Sequence, residues 1–185
     1  VGHSYVVRAK EWARTAPALV DARRAELQIT WCGQGGLRLT DLRARWEQLV
    51  PRRYTPPQVI ILHLGGNDVV SLGRKGLFES VMSEVAWLAG RFPDAMICWS
   101  QIIPRPQWKG ARSIQAINHS VARVNRKVGV LMATSRLASI SHGCIRGSRF
   151  FLKDGVHLTP EGNSILVGNW LAWLDSRRGE GGEAR

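Results

Sequence analysis

The chain is short of cysteine and of acid. Cys32, Cys98 and Cys144 are its only cysteines among 185 residues. They are odd in number and far apart, without the C-x-x-C spacing of a zinc site or the dense pattern of a disulfide framework, so neither a structural metal nor cross-links are expected. Reduced, mostly buried thiols follow as the expectation, and with them an intracellular, cytoplasmic setting. No apolar run approaches the roughly 20 residues that span a bilayer, so no membrane partner is expected. The scarcity of acid leaves 26 Lys and Arg against 14 Asp and Glu, a net charge of +12. That excess draws polyanions non-specifically and makes nucleic acid a candidate partner of the basic surface. Yet no block of five like charges occurs. The arginines come singly or in pairs such as Arg23-Arg24, Arg52-Arg53 and Arg177-Arg178, the pattern of a generally basic surface.

What is present suffices for one domain that buries roughly two thirds of its unfolded surface. Val1 stands directly before Gly2-His3-Ser4, as though a first strand were truncated at the N-terminus of a fragment of a longer protein. Ser4 is then expected at a strand-to-helix corner, with residues 6 to 24 helical and interrupted near Pro17. Residues 26 to 31 alternate apolar Leu27, Ile29 and Trp31 with polar neighbours, as in an edge strand. Leu39, Leu42, Trp46 and Leu49 recur at helical steps before Pro51. The apolar run 58 to 64 (QVIILHL) reads as a central parallel strand, residues 77 to 91 as a helix, 95 to 100 (AMICWS) as a strand and 113 to 132 as a helix capped by Ser113. A weaker strand is expected at 137 to 141, with 142 to 153 as loop. The stretch Gln101 to Arg112, with an exposed Trp108, is a candidate substrate wall. Thr159-Pro160-Glu161 opens a last helix to about Leu174. The domain is expected to cover 1–175 and a disordered tail 176–185.

Strand and helix in alternation predict an α/β fold, a parallel sheet covered on both faces. In the flavodoxin-like order 2-1-3-4-5, strands one and three meet at the switch point, and ligands bind beyond their carboxyl ends. The turns there carry Ser4 and Asn67.

Asp154-Gly155-Val156-His157 sets an acid and a histidine three residues apart ahead of a helix, a spacing that lets the acid hold the imidazole in one tautomer. Taken singly, each candidate has a plain structural reading. Ser4 could cap a helix, Asn67 could occupy a turn at positive φ, Asp154 could form a turn and His157 could pack in the core. His63, His119 and His142 read as structural.

Four blocks in order nevertheless match one family. Gly2-His3-Ser4, Gly35-Gly36, Gly65-Gly66-Asn67-Asp68 and Asp154-Gly155-Val156-His157 resemble those of the SGNH (GDSL-type) hydrolases, over nearly the whole chain. The Gly-His-Ser start, the tryptophans and the arginines are also similar to SGNH-type domains encoded by vertebrate retrotransposons. The resemblance implies a three-layer α/β/α fold with a five-stranded parallel sheet. It also implies a serine esterase or deacetylase acting on small acyl esters, with no cofactor and no metal. It makes Ser4 the nucleophile, His157 the base and Asp154 its orienting acid. The oxyanion donors would be the backbone N–H groups of Ser4 and Gly36 and the Asn67 amide. The chain departs from the pattern at His3, where aspartate is usual. A histidine there would be expected to bring its own pKa of about 6.5 into the pH profile. The alternative is a catalytically weak or inactive module of this fold, derived from a retroelement, that binds nucleic acid or protein through its basic surface.

Overall fold

A computed structural model describes residues 1–16, 28–50, 55–134 and 136–179. Its centre is a parallel sheet of three strands, β1 (Val59–Leu62), β2 (Met96–Ser100) and β3 (Leu137–Ile140), in that order. Val59 stands opposite Met96, and Ile97 opposite Leu137. Side chains alternate between the two faces, as the period of a strand requires. Ile60, Leu62, Ile97 and Trp99 enter one apolar core, while Cys98, Ala138 and Ile140 enter the other. The sheet is thus covered on both sides.

The first core is closed by α2 (Leu42–Leu49), α3 (Val69–Arg91) and α4 (Ile114–Leu131), through Leu42, Trp46, Leu77, Val81, Val85, Leu88, Val121, Val124 and Val128. The second is closed by α1 (Ser4–Thr15) and α5 (Pro160–Gly179), through Tyr5, Val6, Ala9, Leu166, Val167, Trp170 and Leu171. The helix starts follow the expected chemistry. Ser113 Oγ accepts the Ala116 N–H at 3.2 Å, and Thr159 Oγ1 accepts the Gly162 N–H at 3.2 Å.

Several expectations change. The five-stranded order appears as three strands plus single parallel bridges from Gly2 to Gly33 and to His63. With two residues ahead of His3, the first segment offers one ladder position; residues 28–32 are not strand, and 26–27 lie outside the described residues. The second half of the expected helix 6 to 24 lies outside them as well. Helix α3 starts eight residues before the expected Leu77, and Gly73, at φ 63 and ψ −174, breaks it four residues before that point. Helix α5 runs to Gly179, so the expected tail begins inside a helix; residues 180–185 lie outside the described residues. Trp108, read as exposed, is only 5% exposed, and so is Arg105 in the same loop. The reason is Asn118 on α4: its Oδ1 accepts from Trp108 Nε1 at 2.8 Å and from the Arg105 N–H at 3.0 Å, and its Nδ2 donates to the Arg105 carbonyl at 2.9 Å. All three cysteines are free, and Cys144 is exposed. Among the described residues, no helix is long and apolar enough to cross a membrane.

Candidate active site

Ser4 is the first residue of α1, held by the turn before it. The Gly2 N–H donates to the Cys32 carbonyl at 3.0 Å, the His3 N–H to the His63 carbonyl at 3.4 Å, and the Gln34 N–H to the Gly2 carbonyl at 3.0 Å. A Cβ on Gly2 would lie 2.1 Å from the His63 carbonyl oxygen, so only glycine allows this close approach to β1. His3 is buried and caps α1: its Nδ1 accepts the Tyr5 N–H at 3.3 Å. An aspartate could accept the same bond, and an imidazole can do so only with Nδ1 unprotonated. Burial first, then the Arg105 and His157 charges, hold the His3 pKa well below its ordinary value. The expectation that His3 titrates near 6.5 is therefore corrected: it is a neutral cap.

The second half of the site is a more open turn, with Asp154 exposed and His157 half-buried. Asp154 Oδ1 accepts the N–H groups of Val156 and His157, each at 2.9 Å, and Oδ2 lies 2.7 Å from His157 Nδ1. These hydrogen bonds hold the Asp154 carboxyl well below the usual carboxylate range. A carboxylate on Nδ1 leaves Nε2 of a neutral His157 free as a base. Gly155 turns the chain at φ 64, and its carbonyl accepts the Gln107 N–H at 3.0 Å.

Gly36 lies exposed in the glycine turn at φ 74. Asn67 does not take a positive φ; its Nδ2 donates to the Leu37 carbonyl at 3.0 Å, which leaves one amide hydrogen uncommitted. Asp68 is buried and accepts the Leu39 N–H at 3.2 Å and 3.3 Å, tying the asparagine turn to the glycine turn. Burial pushes its carboxyl up to about 6 against that bond.

The structure joins Asp154 to His157 directly. It joins the nucleophile turn to the acid–histidine turn through the Tyr5 hydroxyl, which donates to the Val156 carbonyl, and the asparagine turn to the glycine turn through Leu37 and Leu39. It does not join Ser4 to His157 by a hydrogen bond. Among the described residues, no cluster of three His, Cys, Asp or Glu side chains could hold a metal ion. A broad concavity of about 920 Å³ opens at the start of α4 beside Ser113, Asn118 and His119; none of the expected site residues lines it.

Three features escaped the sequence. Tyr5 bridges two blocks. Arg105 sets its guanidinium carbon 5.0 Å from the Tyr5 ring and 4.7 Å from the Trp108 ring. A buried polar row runs behind the nucleophile turn. In it Asn169 Nδ2 meets His142 Nδ1 at 3.0 Å, His142 Nε2 meets Ser100 Oγ at 2.8 Å, and Ser100 Oγ meets His63 Nδ1 at 2.8 Å. The amide donor on His142 Nδ1 places that ring's proton on Nε2, which then donates to Ser100, so Ser100 donates onward to His63. This is the reverse of a triad, and Ser100 is fully buried. Histidines on strand ends were the one signal for this row.

No protein-family model and no curated protein matches the chain. Solved structures do. An assumed acylhydrolase from Bacteroides fragilis is 18% identical at a TM-score of 0.71, over 95% of this chain and 85% of its own. A GDSL-like lipase from Bacteroides thetaiotaomicron is 17% identical at 0.68, over 95% and 86%. A family 3 carbohydrate esterase from Talaromyces cellulolyticus is 16% identical at 0.62, over 95% and 94%. At these identities the likeness shows the fold, which is that of GDSL-like hydrolases.

Proposed function

We propose that this protein is a serine esterase or deacetylase of the SGNH type, hydrolysing small acyl esters through Ser4, His157 and Asp154. Ser4 Oγ attacks the ester carbonyl as His157 Nε2 takes its proton, and Asp154 stabilises the imidazolium. The tetrahedral oxyanion is met by the N–H groups of Ser4 and Gly36 and by the free amide hydrogen of Asn67. His157 then protonates the leaving alcohol, and water activated by the same nitrogen releases the acyl group from Ser4. The observation that carries this reading is the 2.7 Å Asp154–His157 contact, on a turn tied by Tyr5 to the turn that bears Ser4.

A fluorophosphonate probe and p-nitrophenyl acetate test it. The parent should label and turn over, and Ser4→Ala should do neither; a folded parent that does neither defeats the proposal. Nucleic-acid binding through the basic surface rests on charge alone. Salt-sensitive RNA binding that persists in Ser4→Ala, with no esterase activity in the parent, would favour it.

A further inference from the structure

The positive charge of the chain is unevenly placed. Between Asp94 and Asp154 stand 59 residues with ten Lys and Arg and without a single Asp or Glu, so ten of the net +12 arise there. That stretch contains α4, which faces the core through Val121, Val124 and Val128. His119, Arg123 and Arg126 recur at steps of four and three on its other side, all exposed, with exposed Lys127 beside them. Lys109 and Arg112, exposed in the loop that enters α4, extend the row. Among the described residues, none of these five Lys and Arg is in an ion pair. Lys127 is steadied by the Phe78 ring, whose centroid lies 3.8 Å from Nζ. An unpaired row of like charges repels itself, and a polyanion laid along it relieves that repulsion.

We infer that the outer face of α4 and the loop before it form a docking surface for duplex DNA, held by its phosphates. The inference stands apart from the esterase reading. With 18 residues, α4 is about 27 Å long and about 10–12 Å across. The major groove of B-DNA, about 12 Å wide, takes a helix face of that width between its phosphate rims. Arg126 and Lys127, about 100° apart around the helix, stand on opposite flanks to meet those rims, and a guanidinium takes phosphate oxygens in pairs. The surface is concave where α4 begins, about 920 Å³ beside Ser113 and His119, which gives a convex backbone room against loop and helix together. Other polyanions fit less well. The major groove of duplex RNA is too deep and narrow. Single strands are held by stacking bases on aromatic rings, and no described Phe, Tyr or Trp is exposed. On α4 only Val130 and Leu131 are exposed large apolar residues, too few to seat in lipid.

The test is fluorescence anisotropy with a labelled DNA duplex of about two helical turns, read across about 50 to 200 mM salt. For the parent, log K should fall against log salt with a slope of about −4, since each neutralised phosphate contributes about −0.9. Arg123→Ala with Arg126→Ala should cut that slope by about 2, and Arg123→Glu with Arg126→Glu should weaken binding about tenfold or more. Lys10→Glu with Arg14→Glu makes the same change of net charge at exposed positions of α1, across the sheet, and should leave binding nearly unchanged. Equal weakening by the two pairs reduces the attraction to net charge and overturns the face. If the double glutamate variant does not fold, the alanine pair decides, and an unchanged slope overturns the face. Tighter binding to the matching RNA duplex, to single-stranded DNA or to phosphatidylserine vesicles gives the face to another partner and overturns the inference. A parent that binds no duplex does so too, and leaves the esterase standing. A parent that binds duplex through α4 yet hydrolyses no ester overturns the esterase and leaves the docking surface.

Discussion

The two halves of the site stand in opposite solvents. The nucleophile turn is dry: His3, His63 and Arg105 are each 5% exposed or less, and burial is the first cause that lowers the pKa of both histidines. The acid–histidine turn is wet, with Asp154 exposed and held ionised by hydrogen bonds, not by charge burial. A histidine kept from charging can hold geometry; one paired with a carboxylate in reach of water can accept a proton and give it back. The same side chain therefore does scaffolding on one side and, in the proposed reaction, chemistry on the other.

Substitutions should separate the halves. The largest effect is expected at the wet turn and its nucleophile: His157→Ala or Ser4→Ala should lower kcat about 10⁴-fold or more with the urea midpoint unmoved. Asn67→Ala should cost about 10²- to 10³-fold in kcat, measured with the same ester. In the dry half the readout changes to stability. Ser100→Ala strands His63 Nδ1, His142 Nε2 and Trp170 Nε1, which donates to Ser100 at 2.8 Å, and should lower the unfolding free energy by about 3 kcal/mol. If it instead lowered kcat like Asn67→Ala without moving the midpoint, the division would fail.

The smallest expected effect concerns pH. His142 is lowered from 6.5 to about 4 by burial, and His3 and His63 are lowered with the same sign. Their stabilisation is full above the unfolded value of 6.5 and is lost as acid protonates the unfolded chain first. Asp68, raised to about 6, works the other way: the folded state holds its proton more tightly, so stability is gained as pH falls below 6. The Val1 amino group, lowered from 8.0 by burial, acts with the histidines, so four groups against one predict a net loss between pH 7.5 and 5, by guanidinium unfolding. Asp68→Asn removes the opposing gain and should deepen that loss by about 1 kcal/mol. A shallower loss in the variant would contradict the sign given to Asp68.

Much of this was legible before the fold. The strands at 59–62 and 96–100, the cap at Ser113 and the Thr159-Pro160 entry are local, set by apolar runs and cap chemistry within a few residues. The Asp154–His157 contact was legible for the same reason, since three residues of turn bring the groups together. The misreadings share a cause. Trp108 reads as exposed until Asn118, ten residues on, turns the loop inward, and His3 reads as a titrating group until burial and Arg105 surround it.

From residue order alone came the class of fold, the four blocks and the acid–histidine pair, because each depends on interactions short in sequence. Tertiary structure decided which polar groups lose their water. Only when Gly66 makes room for Arg105 and Tyr5 reaches Val156, 151 residues away, does one half of the site become dry and the other remain wet. Desolvation depends on every element that closes around a group, and no local stretch of sequence contains that sum.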